Sequence, residues 1–383
     1  MSISKVYITA LHLNHGGVEM VIASIANAFV EKGLEVEVLT TYRYDKPAYD
    51  FDERVKITYL TDVRPNREEF SAAVRSKNPF RILKEGLKAV KVLRLRKSTM
   101  VKAIKAIEDG AVISTRHDHN MWLSQYGNKN VLKIAQLHFD HKFDPQLVAD
   151  FKANYSNIDY FTLLTDKVTG ELKEIMDGHN SHTKCVTLPN FLNFEPVDRT
   201  TEKKNQVIAA GRLHPDKDFA TMLRIWKKVC DRVEGYVLKI AGQGELEGEL
   251  KAYAKELGIE EKVCFMGGVP HGALLQEMHD SKAYLMTSVS EALPMVLLEA
   301  MYCETPPISF ELRIGTGSII NDGVNGVVVP ERNDDDYVEK LVSLLSLSGD
   351  EMARMRENCM ARAMDFSKEK VVSMWFDLFN GAL

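Results

Sequence analysis

Two glutamates eight positions apart bracket a proline-initiated apolar run: Ser290-Glu291-Ala292-Leu293-Pro294-Met295-Val296-Leu297-Leu298-Glu299-Ala300-Met301. Proline suits the first turn of a helix, whose N–H groups have no partner. Helical spacing from Met295 onward then places Glu299 about one turn in and leaves Glu291 in the preceding loop. A helix mouth presents free N–H groups and partial positive charge, which favours phosphate. A carboxylate accepts two hydrogen bonds from a vicinal diol such as a ribose. The chemistry of this stretch is that of a ligand carrying both groups, lined by Leu293, Pro294, Met295 and Val296. Taken alone, the same pair reads equally as two solvated glutamates flanking a core helix.

Three other constellations bear on that choice. Leu13-Asn14-His15-Gly16-Gly17-Val18-Glu19 follows the first strand-like run and opens a helix reaching about Lys32; glycines there let backbone approach a ligand closely. A bare Gly-Gly is also an ordinary turn. Gly211-Arg212-Leu213-His214-Pro215-Asp216-Lys217-Asp218 follows a second strand, and Arg212 and Lys217 flank a turn from which both reach a diphosphate. Phe265-Met266-Gly267-Gly268-Val269 ends a third strand with glycines that frame a flat base against backbone.

The elements that must position these residues alternate between strand and helix, which implies parallel sheets covered on both faces. Strands are expected near Val6–Thr9, Val36–Leu39, Ile57–Leu60, Ala111–Ser114, Lys133–Leu137 and Phe161–Leu164, and the pattern restarts at Gln206. With 383 residues the chain exceeds what one core usually supports. The polar, aperiodic stretch 198–205 puts a linker near 196–204. The expected domains are therefore 1–196 and 205–366, with a terminal helix, 367–383, crossing back onto the first. Two doubly wound domains place a ligand cleft at their carboxyl strand edges.

Composition narrows the class. The net charge of −5 argues against general nucleic-acid binding. No apolar run approaches about 18 residues, and the N-terminus runs straight into a strand, so no leader or span is expected. Five dispersed cysteines read as reduced intracellular thiols, hence a cytoplasmic protein. Between Arg64 and Lys105, however, thirteen Lys/Arg face three Glu. Phe80, Leu83, Leu87 and Val90 repeat there at helical spacing beside a basic stripe, Arg81, Lys84, Lys88 and Lys91. That is the pattern of a helix lying on an anionic membrane surface; an amphipathic helix with a solvated basic face has the same pattern. His117-Asp118-His119 and His138-Phe139-Asp140-His141 resemble metal-ligand sets, but loop histidines at strand ends serve acceptor hydroxyls better, and Arg212 with Lys217 makes a metal redundant.

In this order and spacing the motifs resemble the retaining GT-B glycosyltransferases of family 4. The resemblance rests on Gly16-Gly17-Val18-Glu19, Leu188-Pro189-Asn190, Gly211-Arg212-Leu213 with Lys217, the Glu291/Glu299 element and Asp322-Gly323-Val324-Asn325-Gly326, and spans nearly the whole chain. It implies an α/β GT-B fold, two doubly wound Rossmann-like domains facing a central cleft. It also implies transfer of a sugar, with retention, from a nucleotide-sugar, a UDP-sugar being expected, to a saccharide or lipid-linked acceptor in cell-surface glycan assembly. Under the resemblance Glu299 holds the donor ribose, Glu291 faces the transferred sugar, and Arg212 and Lys217 neutralise the diphosphate in place of a metal, with no cofactor. Val269 meets the base, Gly16 and Gly17 line the diphosphate and acceptor side, and His138 stands near the donor sugar. The leaving phosphate oxygen accepts the acceptor's proton, so no protein nucleophile is needed. Ala292 and Glu304 stand where family members commonly carry glycine, which bears on sugar identity. The rival readings are a UDP-sugar epimerase of the same architecture and a non-catalytic nucleotide-sugar-binding or lipid-binding module. A dehydrogenase is disfavoured, since no G-x-G-x-x-G follows the first strand.

Overall fold

The computed structural model describes residues 3–44, 46–193 and 195–383. The chain forms two units, Met1–Leu188 with Val372–Leu383, and Pro189–Val371.

In the first unit, β1 (Lys5–Ala10), β2 (Glu35–Tyr42), β3 (Lys56–Thr61), β4 (Ala111–Ser114), β5 (Leu132–Leu137), β6 (Tyr160–Leu163) and β7 (Lys184–Thr187) make one sheet in the order β3-β2-β1-β4-β5-β6-β7. Every pairing is parallel, Val6 facing Val36 on one side and Ala111 on the other. Central strands such as Ala111-Val112-Ile113-Ser114 are buried throughout, because helices cover both faces. β7 went unread in the sequence: four residues with an exposed lysine at the start carry little pattern. The chain's last helix, Lys368–Phe379, packs Trp375 and Phe379 on Phe29 of helix Gly17–Glu31, with ring centroids 5.6 and 5.4 Å apart.

The second unit repeats the plan. β8 (Gln206–Ala210), β9 (Val237–Ala241), β10 (Val263–Gly267), β11 (Ala283–Met286), β12 (Pro307–Phe310) and β13 (Val327–Val329) form a parallel sheet ordered β10-β9-β8-β11-β12-β13. Its core centres on Trp226, fully buried, whose indole N–H donates to the Lys262 carbonyl at 2.9 Å. The polar stretch 196–204 lies inside this unit. Thr201 bonds the Asp280 carboxylate at 2.8 Å and Arg199 that of Glu304 at 2.9 Å, so the segment is a strap over the helices rather than a free connector.

In each sheet the strand order reverses once, between β1 and β4 and between β8 and β11, where adjacent loops diverge and leave a crevice at the carboxyl ends. Helix Pro79–Lys105 is 27 residues long, started by Pro79 and capped by Asn78, whose side chain accepts from the N–H groups of Phe80 and Arg81. Its second half buries Val92, Met100 and Ile104, whereas its first half buries nothing. Among the described residues no helix is long and apolar enough to cross a membrane.

Candidate active site

Two loops leave the switch point of the second sheet. β8 runs through Gly211 and Arg212 into a 3-10 turn, Pro215–Lys217, and then helix Phe219–Cys230. β11 runs through Thr287–Leu293 into helix Met295–Tyr302. The loops are stitched to each other. The Thr287 hydroxyl reaches the carbonyls of Lys217 (3.1 Å) and Asp218 (3.0 Å), and the Val289 N–H donates to the Asp216 carbonyl at 2.9 Å. Arg332 closes the seam from beyond β13. Its guanidinium donates to the carbonyls of Ser288 and Thr287, each at 3.0 Å, and to the Asp218 carboxylate at 2.5 Å, while lying over the Phe310 ring at 4.6 Å. Asp218 has φ 48° and ψ 49°, a left-handed conformation uncommon outside glycine. Its side chain caps the following helix at Thr221 N and accepts from Arg332, which together hold it there.

This stitching brings together residues 74 apart in sequence: Lys217 Nζ donates to Glu291 Oε1, and the Ser288 hydroxyl donates to the same oxygen at 2.9 Å. The floor is tightened by Gly242 (φ 141°), where a Cβ would lie 1.9 Å from the Gly211 carbonyl oxygen, so only glycine lets the ends of β8 and β9 abut. Arg212 is not drawn into the pair; its exposed guanidinium sits 3.9 Å from the Asp216 carboxylate.

Pro294 is the residue before the helix rather than within its first turn: its ψ of 89° is non-helical, and Met295 is the first helical residue. Leu293 and Pro294 are buried, so Leu293 offers a ligand its backbone only, and Met295 and Val296 are part-exposed at the helix mouth. Glu299, the helix's fifth residue, is bonded by His271 Nε2 at 3.2 Å, and His271 Nδ1 meets Glu195 at 2.7 Å. Hydrogen bonds from Glu299 and then Glu195 outweigh desolvation and raise His271 to about 9. Neither His271 nor Arg332 was readable as a site residue, since both work through partners distant in sequence. Val269 is part-exposed just after β10.

In the first unit, the ends of β1, β4 and β5 open on a cleft of about 590 Å³ lined by His12, Gly17, Glu19, Arg96, Arg116 and His138 among others. Gly17 begins helix Gly17–Glu31, and Gly16, its N-cap, leaves that mouth without a side-chain cap. Glu19 lies 3.3 Å from His12. Asp118 takes Arg96 in an ion pair and stands 3.6 Å from the Nε of Arg116. Burial lowers both guanidinium pKa values, aided at Arg96 by its neighbour Arg116. Among the described residues the buried Nε atoms of Arg96 and Arg116 have no hydrogen-bond partner. His138 Nε2 contacts Gln136 at 3.3 Å, and burial lowers its pKa to about 4, so the ring is neutral near pH 7. Of the other histidines, His117 binds Tyr155 and Asp150 (each 3.0 Å), His119 binds Thr9 (3.0 Å), and His141 binds Glu171 (2.9 Å). Among the described residues no three His, Cys, Asp or Glu are placed to hold a metal.

On helix Pro79–Lys105 the structure leaves Phe80 (83% exposed), Leu83, Leu87, Val90 and Leu93 facing solvent, with Arg81, Lys84, Lys88 and Lys91 exposed beside them. Arg96, five residues past Lys91 on the same helix, points into the cleft instead.

The family model for glycosyl transferases group 1 matches residues 193–362. A Haemophilus influenzae protein described as an uncharacterized glycosyltransferase is 25% identical, the match covering 94% of this chain and 95% of the relative. A Campylobacter jejuni alpha-1,4-N-acetyl-D-galactosaminyltransferase, named for an undecaprenol-diphosphate-linked saccharide, is 27% identical over 96% of this chain and 95% of its own. The pneumococcal O-GlcNAc transferase GtfA, solved with UDP and GlcNAc, superposes with a TM-score of 0.78 at 14% identity, covering 100% of this chain and 99% of that one.

Proposed function

We propose, from the match of residues 193–362 to the family model for glycosyl transferases group 1 and from the GT-B fold, a retaining, metal-independent transfer of a sugar from a nucleotide-sugar, UDP-linked, to a saccharide or lipid-linked acceptor. Glycosyl transfer in glycan biosynthesis is the coarser statement that its relatives carry. The observation that supports the finer reading is the Lys217–Glu291 pair beside a helix mouth, with Glu299 on that helix.

In this reading the donor diphosphate takes the cation of Lys217 and the helix N–H groups of Met295 and Val296, with Arg212 free to swing in from the exposed rim. Glu291, released from Lys217, accepts hydroxyl hydrogens of the transferred sugar, and Glu299 accepts those of the ribose. Val269 offers backbone to the base. The leaving diphosphate gains charge as the glycosidic bond breaks, so a preplaced Lys217 stabilises the transition state more than the ground state. The departing phosphate oxygen accepts the acceptor hydroxyl's proton on the same face, leaving no role for a protein nucleophile.

The first-unit cleft, with Gly16 and Gly17 at its helix mouth and neutral His138 as a hydrogen-bond partner for hydroxyls, receives the acceptor. The apolar ridge Phe80–Leu93 and the basic residues Arg81, Lys84, Lys88 and Lys91 dock the enzyme on an anionic membrane surface, each basic residue contributing about 1 kcal/mol near such lipids. In flotation assays the protein is expected to bind vesicles containing phosphatidylglycerol and not pure phosphatidylcholine. Leu83→Ser with Leu87→Ser should abolish that binding while sparing transfer to a soluble acceptor.

The deciding experiment measures nucleotide release from UDP-glucose, UDP-galactose, their N-acetylamino counterparts and GDP-mannose, with and without lipid-linked saccharides. Release from one donor, stimulated by acceptor and lost in Lys217→Ala, is the expected result. Conversion of a UDP-sugar without acceptor would replace it with an epimerase.

A further inference from the structure

We propose that His271 is a positioning residue that holds Glu299 in place for the donor ribose, and that Glu195 is the second carboxylate that keeps His271 in that role. The inference rests on the nucleotide-sugar reading above and extends it to two residues that no motif marks.

The geometry is a chain of three side chains from three places in the second unit. Glu195 comes from the segment leading into the strap, His271 opens helix His271–His279, and Glu299 lies on helix Met295–Tyr302. His271 spends one ring nitrogen on each carboxylate, 2.7 Å to Glu195 and 3.2 Å to Glu299. A neutral imidazole donates through one nitrogen only, so holding two carboxylates calls for the imidazolium. Glu195 is itself seated by the helix start: a Cβ at Gly272 would lie 3.1 Å from its Oε2, and carboxylates are favoured at helix N-termini. Glu195 and Glu299 are the charged groups acting on His271, and both favour its charged form.

A lone glutamate at a part-exposed helix position samples several rotamers, and each sampled rotamer weakens a two-point grip on a diol. Fixing one oxygen of Glu299 against His271 leaves its other oxygen, and a lone pair of the first, to accept from a diol. Glu195 makes the arrangement persist without itself touching the nucleotide. The arrangement thus predicts an effect confined to ligands that carry the ribose diol.

The test is calorimetric binding of UDP, GDP and ADP, each beside its 2′-deoxy counterpart, to the full-length chain. Wild type is expected to favour the best ribonucleotide over its 2′-deoxy form by about 10-fold, one hydrogen bond's worth of discrimination. His271→Ala should remove most of that preference by weakening the ribonucleotide alone; unchanged binding of the 2′-deoxy form shows that the site is still folded. Glu195→Gln should lose about 3-fold of the preference. The ribo-to-deoxy ratio, in which the base's own ionisation cancels, should fall above pH 9 in wild type and stay flat in His271→Ala. Equal weakening of both forms, or a ribose preference that survives His271→Ala, would overturn the inference while leaving the nucleotide-sugar reading intact. If wild type binds none of the three nucleotides, that reading falls and takes this one with it.

Discussion

The polar groups of the second unit's site are engaged with one another, whereas those of the first unit's cleft are partly unspent. In the second, Lys217, Glu291, Ser288, Thr287, Asp218 and Arg332 form one connected set of hydrogen bonds between two loops. In the first, Arg96 and Arg116 share Asp118, yet among the described residues the buried Nε of Arg96 has no hydrogen-bond partner and that of Arg116 has only the Asp118 carboxylate 3.6 Å away, beyond hydrogen-bond reach. Buried donors left unpaired are costly, about 1–3 kcal/mol each, and persist where a ligand or water completes them. A satisfied network suits a ligand whose shape is constant, such as a nucleotide diphosphate. An under-satisfied cleft suits a partner that brings its own acceptors.

The sharpest way to break this contrast is to cut the engaged network at its centre. Lys217→Ala and Glu291→Gln should each lower transfer more than 100-fold, about 3 kcal/mol of transition-state stabilisation, read as kcat/KM for the donor. Arg332→Ala touches no substrate in this scheme, yet frees the seam between the loops. About a 30-fold loss in kcat is expected, with little rescue by Arg332→Lys, because a lysine cannot fork between two carbonyls and a carboxylate. In the cleft, Arg116→Ala should raise the acceptor KM about 10-fold, as loss of a charge-assisted hydrogen bond would, and leave UDP binding unchanged. An equal loss of UDP affinity would erase the division of labour between the two regions.

The smallest effect concerns His138. Its folded pKa lies near 4, below the unassisted value of 6.5, so the unfolded chain binds this proton first as pH falls. Its contribution is complete above pH 6.5 and is lost between 6.5 and 4. His138→Asn should therefore flatten the acid limb of the stability curve in that window, measured by urea unfolding. An unchanged acid limb would mean that the ring is better solvated than its surroundings imply.

Much of this architecture was legible because parallel strands buried on both faces read as unbroken apolar runs. Ala111–Ser114 coincides with its sequence reading, and helix Lys368–Phe379 falls within the expected 367–383. Lys217, Glu291 and Glu299 were picked out by their places at a strand end and a helix mouth together with the order of the other motifs, and the structure brings Lys217 and Glu291 into contact. Arg332 was not, since its partner Asp218 is 114 residues away and nothing local distinguishes it from a surface arginine. Arg96 was hidden differently: it sits in a basic run whose other members face solvent, and only the helix's rotation turns it into the cleft. The linker reading at 196–204 went astray because polar, aperiodic composition describes a hydrogen-bonded strap as well as a free connector.

The Lys217–Glu291 contact also bears on what the resting protein ignores. Free phosphate, sulfate and chloride are abundant competitors for any exposed lysine at a helix mouth. Here the cation is already neutralised by its own carboxylate, and a small anion that displaced Glu291 would strand that carboxylate with only Ser288 to bond it. A nucleotide-sugar, by contrast, brings an anion for the lysine and hydroxyls for the glutamate in one molecule. The pair therefore screens by bifunctionality, and inorganic phosphate should be a poor inhibitor of the wild-type chain but a markedly better one of Glu291→Gln.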